Sequence, residues 1–340
     1  MTKFFSDILH ENGLEGLYEM AKTHSLLGYV WDEISPEITP DSELFQNNRE
    51  LVKRWFTIVA KIEEKNKQLN VLSEKVLTHF QSLNLSVRLL KGQSLAPLHD
   101  NPLHRSTGDI DVWVAPPLPA RKNMSLSKRR NAVVEVLKAQ CPRAKICYHH
   151  MDFYTISHTM VEAHFTPSWM ANPFKNKKLQ RYFMEEFDNE NSDLNIIFIL
   201  LHIFRHFFQE GITMKQVLDY YWVMKKQRCS VETLAMIKEL GLDRFMRGLL
   251  WVEREVFGLE DKYIILPADE KQGQFILQTI LEDKKNKRTI EDFTSANHLH
   301  NFGSRILRMS KLVSRYPNEA LWELPWRIGH FVWRKWKKFV

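Results

Sequence analysis

Asp109-Ile110-Asp111-Val112-Trp113-Val114 alternates acidic with apolar residues and then turns wholly apolar. That is the pattern of a β-strand with one functional end and one buried end. Pro116, Pro117 and Pro119 stop it, since proline cannot donate to a sheet ladder. Residues two apart on a strand point the same way, so Asp109 and Asp111 share a face. Upstream, Val87-Arg88-Leu89-Leu90 ends in Lys91-Gly92. It reads as a short strand entering a turn and then a helix over 93–99. Two further strands are expected at 146–154 and 159–165, and a helix at 132–138.

The flanks have a different period. From Phe4 to about Leu83, Leu51, Trp55, Ile58, Ile62 and Leu69 recur at spacings of three, four and seven, with Lys and Glu between them. This is helical patterning, broken near Pro36 and Pro40. Beyond Lys177, helices are expected at 196–208, 214–224, 231–240, 245–257, 274–281 and from Glu319. The division read from these shifts is a helical region over 1–84, an α/β core over 85–170 and a helical region with a tail over 171–340. The fold class is α/β (α+β), a small mixed sheet between helical flanks.

Cys141, Cys147 and Cys229 are too few and too scattered for a disulfide framework, and no CxxC pair points to zinc. A reducing, cytoplasmic setting is the simplest expectation. The first residues carry Asp7 and Glu11 within their apolar stretch, unlike a secretory signal. The apolar run 196–201 is too short to cross a bilayer. Of the net charge of +7, five units come from Arg327, Arg334, Lys335, Lys337 and Lys338 in the tail. The basicity is therefore partly local, and a general nucleic-acid surface does not follow from it.

Two same-face carboxylates repel and raise each other's pKa unless a cation sits between them. Mg²⁺ or Mn²⁺ suits such a pair, since Mg²⁺ is usually held by one or two carboxylates together with substrate phosphates. A third carboxylate from a neighbouring strand would complete a metal platform. Glu162, within Val161-Glu162-Ala163-His164-Phe165, is the candidate. A lone D-x-D more often marks a solvated strand end, so the preceding turn matters. In Lys91-Gly92-Gln93-Ser94, glycine lets backbone approach a phosphate closely. Lys91 and Ser94 add a cation and a hydroxyl, and Arg105 could grip phosphate or pair with one of the acids.

Taken together, Leu90-Lys91-Gly92-Gln93-Ser94 and Arg105-Ser106-Thr107-Gly108-Asp109-Ile110-Asp111-Val112-Trp113-Val114 resemble the polymerase-beta-type nucleotidyltransferase superfamily. More narrowly, the chain resembles the bacterial "uncharacterised nucleotidyltransferase" family. The likeness continues in His149-His150, Val161 to Pro167, Asn172-Pro173, Leu179-Gln180 and Phe208 to Tyr220. It covers roughly 86–224. The superfamily's usual turn is Gly-Gly or Gly-Ser, whereas Gln93 intervenes here before Ser94.

The resemblance implies an enzyme that moves an NMP group from an NTP, with ATP as the default, to an acceptor hydroxyl. Asp109, Asp111 and Glu162 would be its catalytic and metal-holding residues. Lys91, Gly92, Gln93, Ser94, Arg105, Gly108 and Lys215 would hold the nucleotide. His149, His150, His164 and Asp219 would support the acids. The spacing of the three histidines fits no standard zinc site. The acceptor, small molecule or macromolecule, is not legible in the sequence. Two rivals are a non-catalytic nucleotide-binding or regulatory module and a toxin-like enzyme acting on tRNA or a protein.

His202 and His206, four apart on one helix, read as packing residues. In the tail, Trp322, Trp326, Trp333 and Trp336 fall near one stripe beside the cations. The expectation is that this face docks onto the protein's own helical domain, with a membrane-surface helix as the alternative.

Overall fold

The computed structural model describes residues 1–106, 108–154, 159–189, 193–285 and 308–336. Thr107 of the acid-strand motif, Lys337 and Lys338 lie outside the described residues. The chain divides into two compact units. One comprises residues 1–67, 96–107 and 195–308; the other comprises 68–95, 108–194 and 309–340.

The first unit is helical. Its elements are α1 (Lys3–Thr23), α2 (Leu27–Ile34), α3 (Glu43–Asn47), the first part of α4 (Arg49–Ser82), nearly all of α7 (Leu194–Gln209), and α8 (Met214–Lys226), α9 (Val231–Leu240), α10 (Asp243–Phe257) and α11 (Glu270–Lys285). The turn after α2 holds Pro36 and ends before Pro40, as the two prolines foretell. Along α4 the buried residues are Leu51, Val52, Trp55, Val59, Asn66, Leu69, Ser73, Val76 and Phe80. Leu51, Trp55 and Leu69 are buried as expected, and Ile58 and Ile62 are half-buried at the edge. From Ile196 to Leu201 every residue of α7 is buried, so this helix is apolar all round because it is the unit's centre. α8 begins where the Gln216 carboxamide accepts from the Thr213 backbone N–H at 2.7 Å, half of a capping box.

The second unit carries the sheet. Its strands are β1 (Ser86–Leu89), β2 (Ile110–Ala115), β3 (His150–Tyr154) and β4 (Met160–His164), in the order β1-β2-β4-β3. β2 and β4 are parallel; the two outer pairs are antiparallel. α5 (Leu126–Gln140), α6 (Pro173–Glu186) and α12 (Pro317–Trp336) complete the unit with the end of α4. One face of the sheet is apolar. Ile110, Val112, Val114, Met151, Phe153, Val161 and Ala163 pack there with Leu69, Val76 and Phe80 of α4 and Val133 and Leu137 of α5. The opposite face receives the alternate residues. Trp113 packs edge-on against Phe187 at 4.5 Å between ring centroids.

Three expectations are corrected here. The helix expected over 93–99 is instead two short 3₁₀ turns, Gly92–Ser94 and Ala96–Leu98. Pro97 lacks the N–H that an α-helix would need. The strand expected over 146–154 is β3 preceded by a tight hairpin. Ile146 bridges Met151, and the Cys147 N–H donates to the His150 carbonyl at 2.9 Å. The tail helix docks within the sheet unit, not on the helical one: Trp326 stacks on Trp169 at 3.5 Å and 13°, and Glu319 accepts the Ala171 N–H at 2.7 Å. The tryptophans do not act as one buried stripe, since Trp336 is 74% exposed along with Leu321, Ile328, Phe331 and Val332. Among the described residues no helix is long and apolar enough to cross a membrane.

Candidate active site

The register of the sheet assembles the site. Asp111 faces Glu162 across the parallel β2–β4 pair, and Glu162 faces Asp152 across the antiparallel β4–β3 pair. One pleat further, Trp113 aligns with His164 and His164 with His150. Directly opposed residues share a face. The side of the sheet that is not core therefore carries a row of three carboxylates and a row of two imidazoles and an indole.

Asp111 is almost fully enclosed, at 2% exposure of its side chain. Its Oδ1 meets the Lys91 ammonium at 3.0 Å and accepts from His164 Nε2 at 3.0 Å. The same His164 nitrogen lies 3.1 Å from Glu162 Oε2, so one imidazole bridges two acids. His164 Nδ1 is buried without a partner. Asp109 is exposed and sits just before β2, which starts at Ile110 and not at Asp109.

Lys91 is the electrostatic centre. Burial lowers the pKa of its ammonium, but the charges of Asp111, Glu162 and Asp109 outweigh that and raise it above the usual lysine value. All three acids expected from the sequence therefore act on one cation. Burial would push the Glu162 carboxyl up; the His164 hydrogen bond and the positive charges of His150 and Lys91 instead hold it well below the ordinary carboxylate range. Glu162 is thus ionised at neutral pH. His150 is pushed up to about 10: burial opposes this, while hydrogen bonds to Asp152 and Cys147 and the Glu162 charge favour its cation.

The turn after β1 explains its glycine. Gly92 has φ +68°, and a Cβ there would meet the Asp109 carbonyl oxygen at 3.3 Å. Glycine is required both for the left-handed backbone and for the close approach of the turn to the first acid. Ser94 Oγ is enclosed and has no partner. Gln93 is turned away, its carboxamide donating to Asn70 Oδ1 of α4 at 2.6 Å. Gly108 is exposed, directly before Asp109.

Of the remaining residues singled out in the sequence, Arg105, Lys215 and Asp219 belong to the helical unit. Arg105 forks onto Asp219, Nε to Oδ1 at 2.7 Å and the terminal nitrogen to Oδ2 at 2.8 Å, and His99 Nε2 lies 3.0 Å from Oδ1. Arg105 and Asp219 are both buried. Burial opposes ionisation of Asp219, yet Arg105 and His99 hold its carboxyl far below the usual range. Lys215, Arg105, His99, Ser106, Trp222 and Lys225 line a cleft of about 290 Å³ in that unit. Several motif residues serve as fasteners. Asn172 caps α6, accepting from the N–H groups of Phe174 and Lys175. Gln180 accepts from the buried Thr166 hydroxyl at 2.6 Å and donates to the Ser168 carbonyl at 2.9 Å.

The sequence reading missed Asp152 and Cys147. Asp152 was detectable, two residues from His150 and so on its face of β3; its Oδ1 lies 3.3 Å from His150 Nε2. Cys147 gives no such signal, because only the hairpin brings it beside His150.

The model of the family described as uncharacterised nucleotidyltransferase matches residues 10–258. The chain belongs to this nucleotidyltransferase family. No curated protein and no solved structure matches it. The family match spans both the acid-bearing sheet and the Arg105–Asp219 pair.

Proposed function

We propose that this nucleotidyltransferase binds an NTP with a divalent cation on the polar face of its sheet and moves the NMP group to an acceptor hydroxyl. The reading rests on Asp111 and Glu162 standing opposite each other on one face of the sheet, both bridged by His164, with Lys91 on Asp111. Mg²⁺ or Mn²⁺ fits the donors. They are carboxylate oxygens, and the lysine ammonium is a stand-in for positive charge in their midst. Asp109, Asp111 and Glu162 would hold the ion. When bound, it would offset charge on the triphosphate and favour in-line displacement.

The protein's own groups do the rest. His164 fixes the orientation of Asp111 and Glu162 by bridging them. Glu162, ionised, takes the proton of the acceptor hydroxyl. The hydroxyl oxygen bonds to the α-phosphorus, the α–β bridging bond breaks, and pyrophosphate leaves. Lys91 offsets phosphate charge, and the uncommitted Ser94 hydroxyl is a donor at the same turn. Residues 85–170 are the catalytic core in this reading, and use of a cellular NTP suits a cytoplasmic enzyme.

The test is to incubate the full chain with each α-labelled NTP, ATP first, with Mg²⁺ or Mn²⁺ and cell extract. A labelled acceptor, small or macromolecular, and stoichiometric pyrophosphate are expected. No transfer from any NTP would exclude the reaction. One observation favours a second reading, a non-catalytic nucleotide-binding module. Lys91 and His164 already engage Asp111 Oδ1, so the acids are partly neutralised without a metal. NTP binding unchanged by chelation, without turnover, would favour it.

A further inference from the structure

Beside the carboxylate row lies a cluster of different chemistry. Cys147 Sγ is 3.3 Å from His150 Nδ1 and 3.7 Å from His149 Nδ1. His150 Nδ1 is 3.0 Å from His149 Nε2. Glu162 Oε2 lies 3.9 Å from His150 Nδ1. We infer that Cys147, His149 and His150 form a binding site for a divalent transition metal of the zinc class, with its fourth position toward Glu162.

The spacing supports this. Zn–S and Zn–N bonds of about 2.3 and 2.0–2.1 Å in a tetrahedron put neighbouring donor atoms roughly 3.3–3.6 Å apart. Cys147 Sγ and His150 Nδ1, at 3.3 Å, already have that spacing, and one donor atom from each of Cys147, His149 and His150 lies within 4.8 Å of the others. The hairpin supplies the cause. The Cys147 N–H donates to the His150 carbonyl, so these residues oppose each other across the two-residue loop Tyr148-His149 and direct their side chains to one side. His149, on the loop itself, closes the third corner.

The donor types discriminate between metals. A thiolate and two imidazoles suit zinc or cobalt and suit Mg²⁺ poorly. This site is therefore chemically separate from the oxygen-donor platform, although Glu162 borders both. The surroundings match those of metal-binding histidines. His150 turns its other nitrogen to Asp152 Oδ1 at 3.3 Å, the carboxylate–histidine arrangement that orients such ligands. Tyr148, Trp169 and Trp326 pack edge-on or stacked next to the loop, and the His149 ring lies 6.3 Å from Trp169. These rings give the cluster an apolar wall. An ion here would tie the hairpin to β4 and hold Glu162 in position, so its loss should affect the order of the acid row as well as metal content.

The full-length chain, purified without chelators, is to be assayed for metal by mass spectrometry and then, after metal removal, titrated with Co²⁺. About one zinc-class ion per chain is expected, and the Co²⁺ form should show a near-ultraviolet thiolate charge-transfer band. Cys147→Ser should abolish the band and lower affinity for Co²⁺ by more than the roughly 10–100-fold typical of losing an outer carboxylate. Asp152→Asn should cost about that 10–100-fold. Cys229→Ser, a thiol in the other unit, should retain the band. A wild-type chain with no retained transition metal and no thiolate band would overturn the site, whatever the variants do. A band that persists in Cys147→Ser would overturn it too. None of these readouts uses NTP, so absence of nucleotidyl transfer leaves the metal assignment intact, and absence of the metal leaves the transferase reading intact.

Discussion

Two charge groups in this chain each join a basic side chain, histidine and carboxylate, and they differ in closure. In the helical unit, one guanidinium meets one carboxylate in a two-bond fork with His99 beside it, and both charges are enclosed. Every strong donor and acceptor there has its match. On the sheet, Lys91 and His164 both engage the enclosed Asp111, His164 also meets Glu162, and Asp109 is exposed. The first group is closed and neutral. The second mixes acids with Lys91 and His150 and leaves Asp109 exposed, the edge at which the proposed cation would bind.

The largest effect should come from breaking the closed pair. Asp219→Asn leaves Arg105 buried without its charge partner, which costs on the order of 3–5 kcal/mol. Urea unfolding should register it, and a loss below ~1 kcal/mol would mean that the fork is dispensable. Replacing both partners with apolar residues of similar volume should recover most of the stability. The pH dependence has a definite sign. Asp219 titrates below its ordinary value, because Arg105 and His99 outweigh the effect of burial. Its contribution is complete above the usual aspartate range and is lost as pH falls through the lowered one. Melting curves of Asp219→Asn should therefore have a flatter acid limb than wild type.

On the sheet the expected pattern is reversed. Glu162→Gln keeps the shape and removes a charge that neighbouring cations stabilise. Turnover should fall at least about a hundredfold, near 3 kcal/mol of barrier, while the melting temperature falls less than in Asp219→Asn. Steady-state kinetics beside calorimetric melting would separate the two, and a large stability loss with near-normal turnover would make Glu162 structural.

The smallest effect concerns the tail. Trp326→Ala removes the stack on Trp169 and should cost about 0.5–1.5 kcal/mol beyond the lost area. Deleting the chain from Leu324 should lower stability or solubility. The outer face, with Leu321, Ile328, Phe331, Val332 and Trp336 exposed, sharpens this test. Strong, salt-sensitive binding to anionic vesicles with unchanged melting after truncation would show that the tail serves a membrane surface.

Much of the sheet was legible because its signal is local. Alternation at Ile110 to Val114 and at Val161 to Phe165 places acids on one face and core residues on the other, and the structure keeps that parity, while Asp109 lies just before the strand. Helices such as Val231–Leu240 appear within their expected bounds. The illegible parts depend on contacts distant in sequence or on a single residue. Arg105 and Asp219 are 114 positions apart, and nothing local announces their pairing. Pro97 turns an apparent helix start into 3₁₀ turns. The hairpin around Tyr148-His149 lies inside what reads as one strand, which hides the approach of Cys147 to His150. Burial of the polar Asn66 in α4 has the same origin, since it donates to the Leu103 and Arg105 carbonyls far along the chain.

The central claim is that Asp109, Asp111 and Glu162 bind a divalent cation together with an NTP. Isothermal calorimetry of ATP and the other NTPs against wild type and Asp109→Asn/Asp111→Asn, each with Mg²⁺ or with chelator, tests it most directly. The account predicts binding to wild type that requires the metal, and none to the double variant, with both proteins folded. Equal NTP affinity in the two proteins, or affinity in wild type that chelation leaves unchanged, would contradict it.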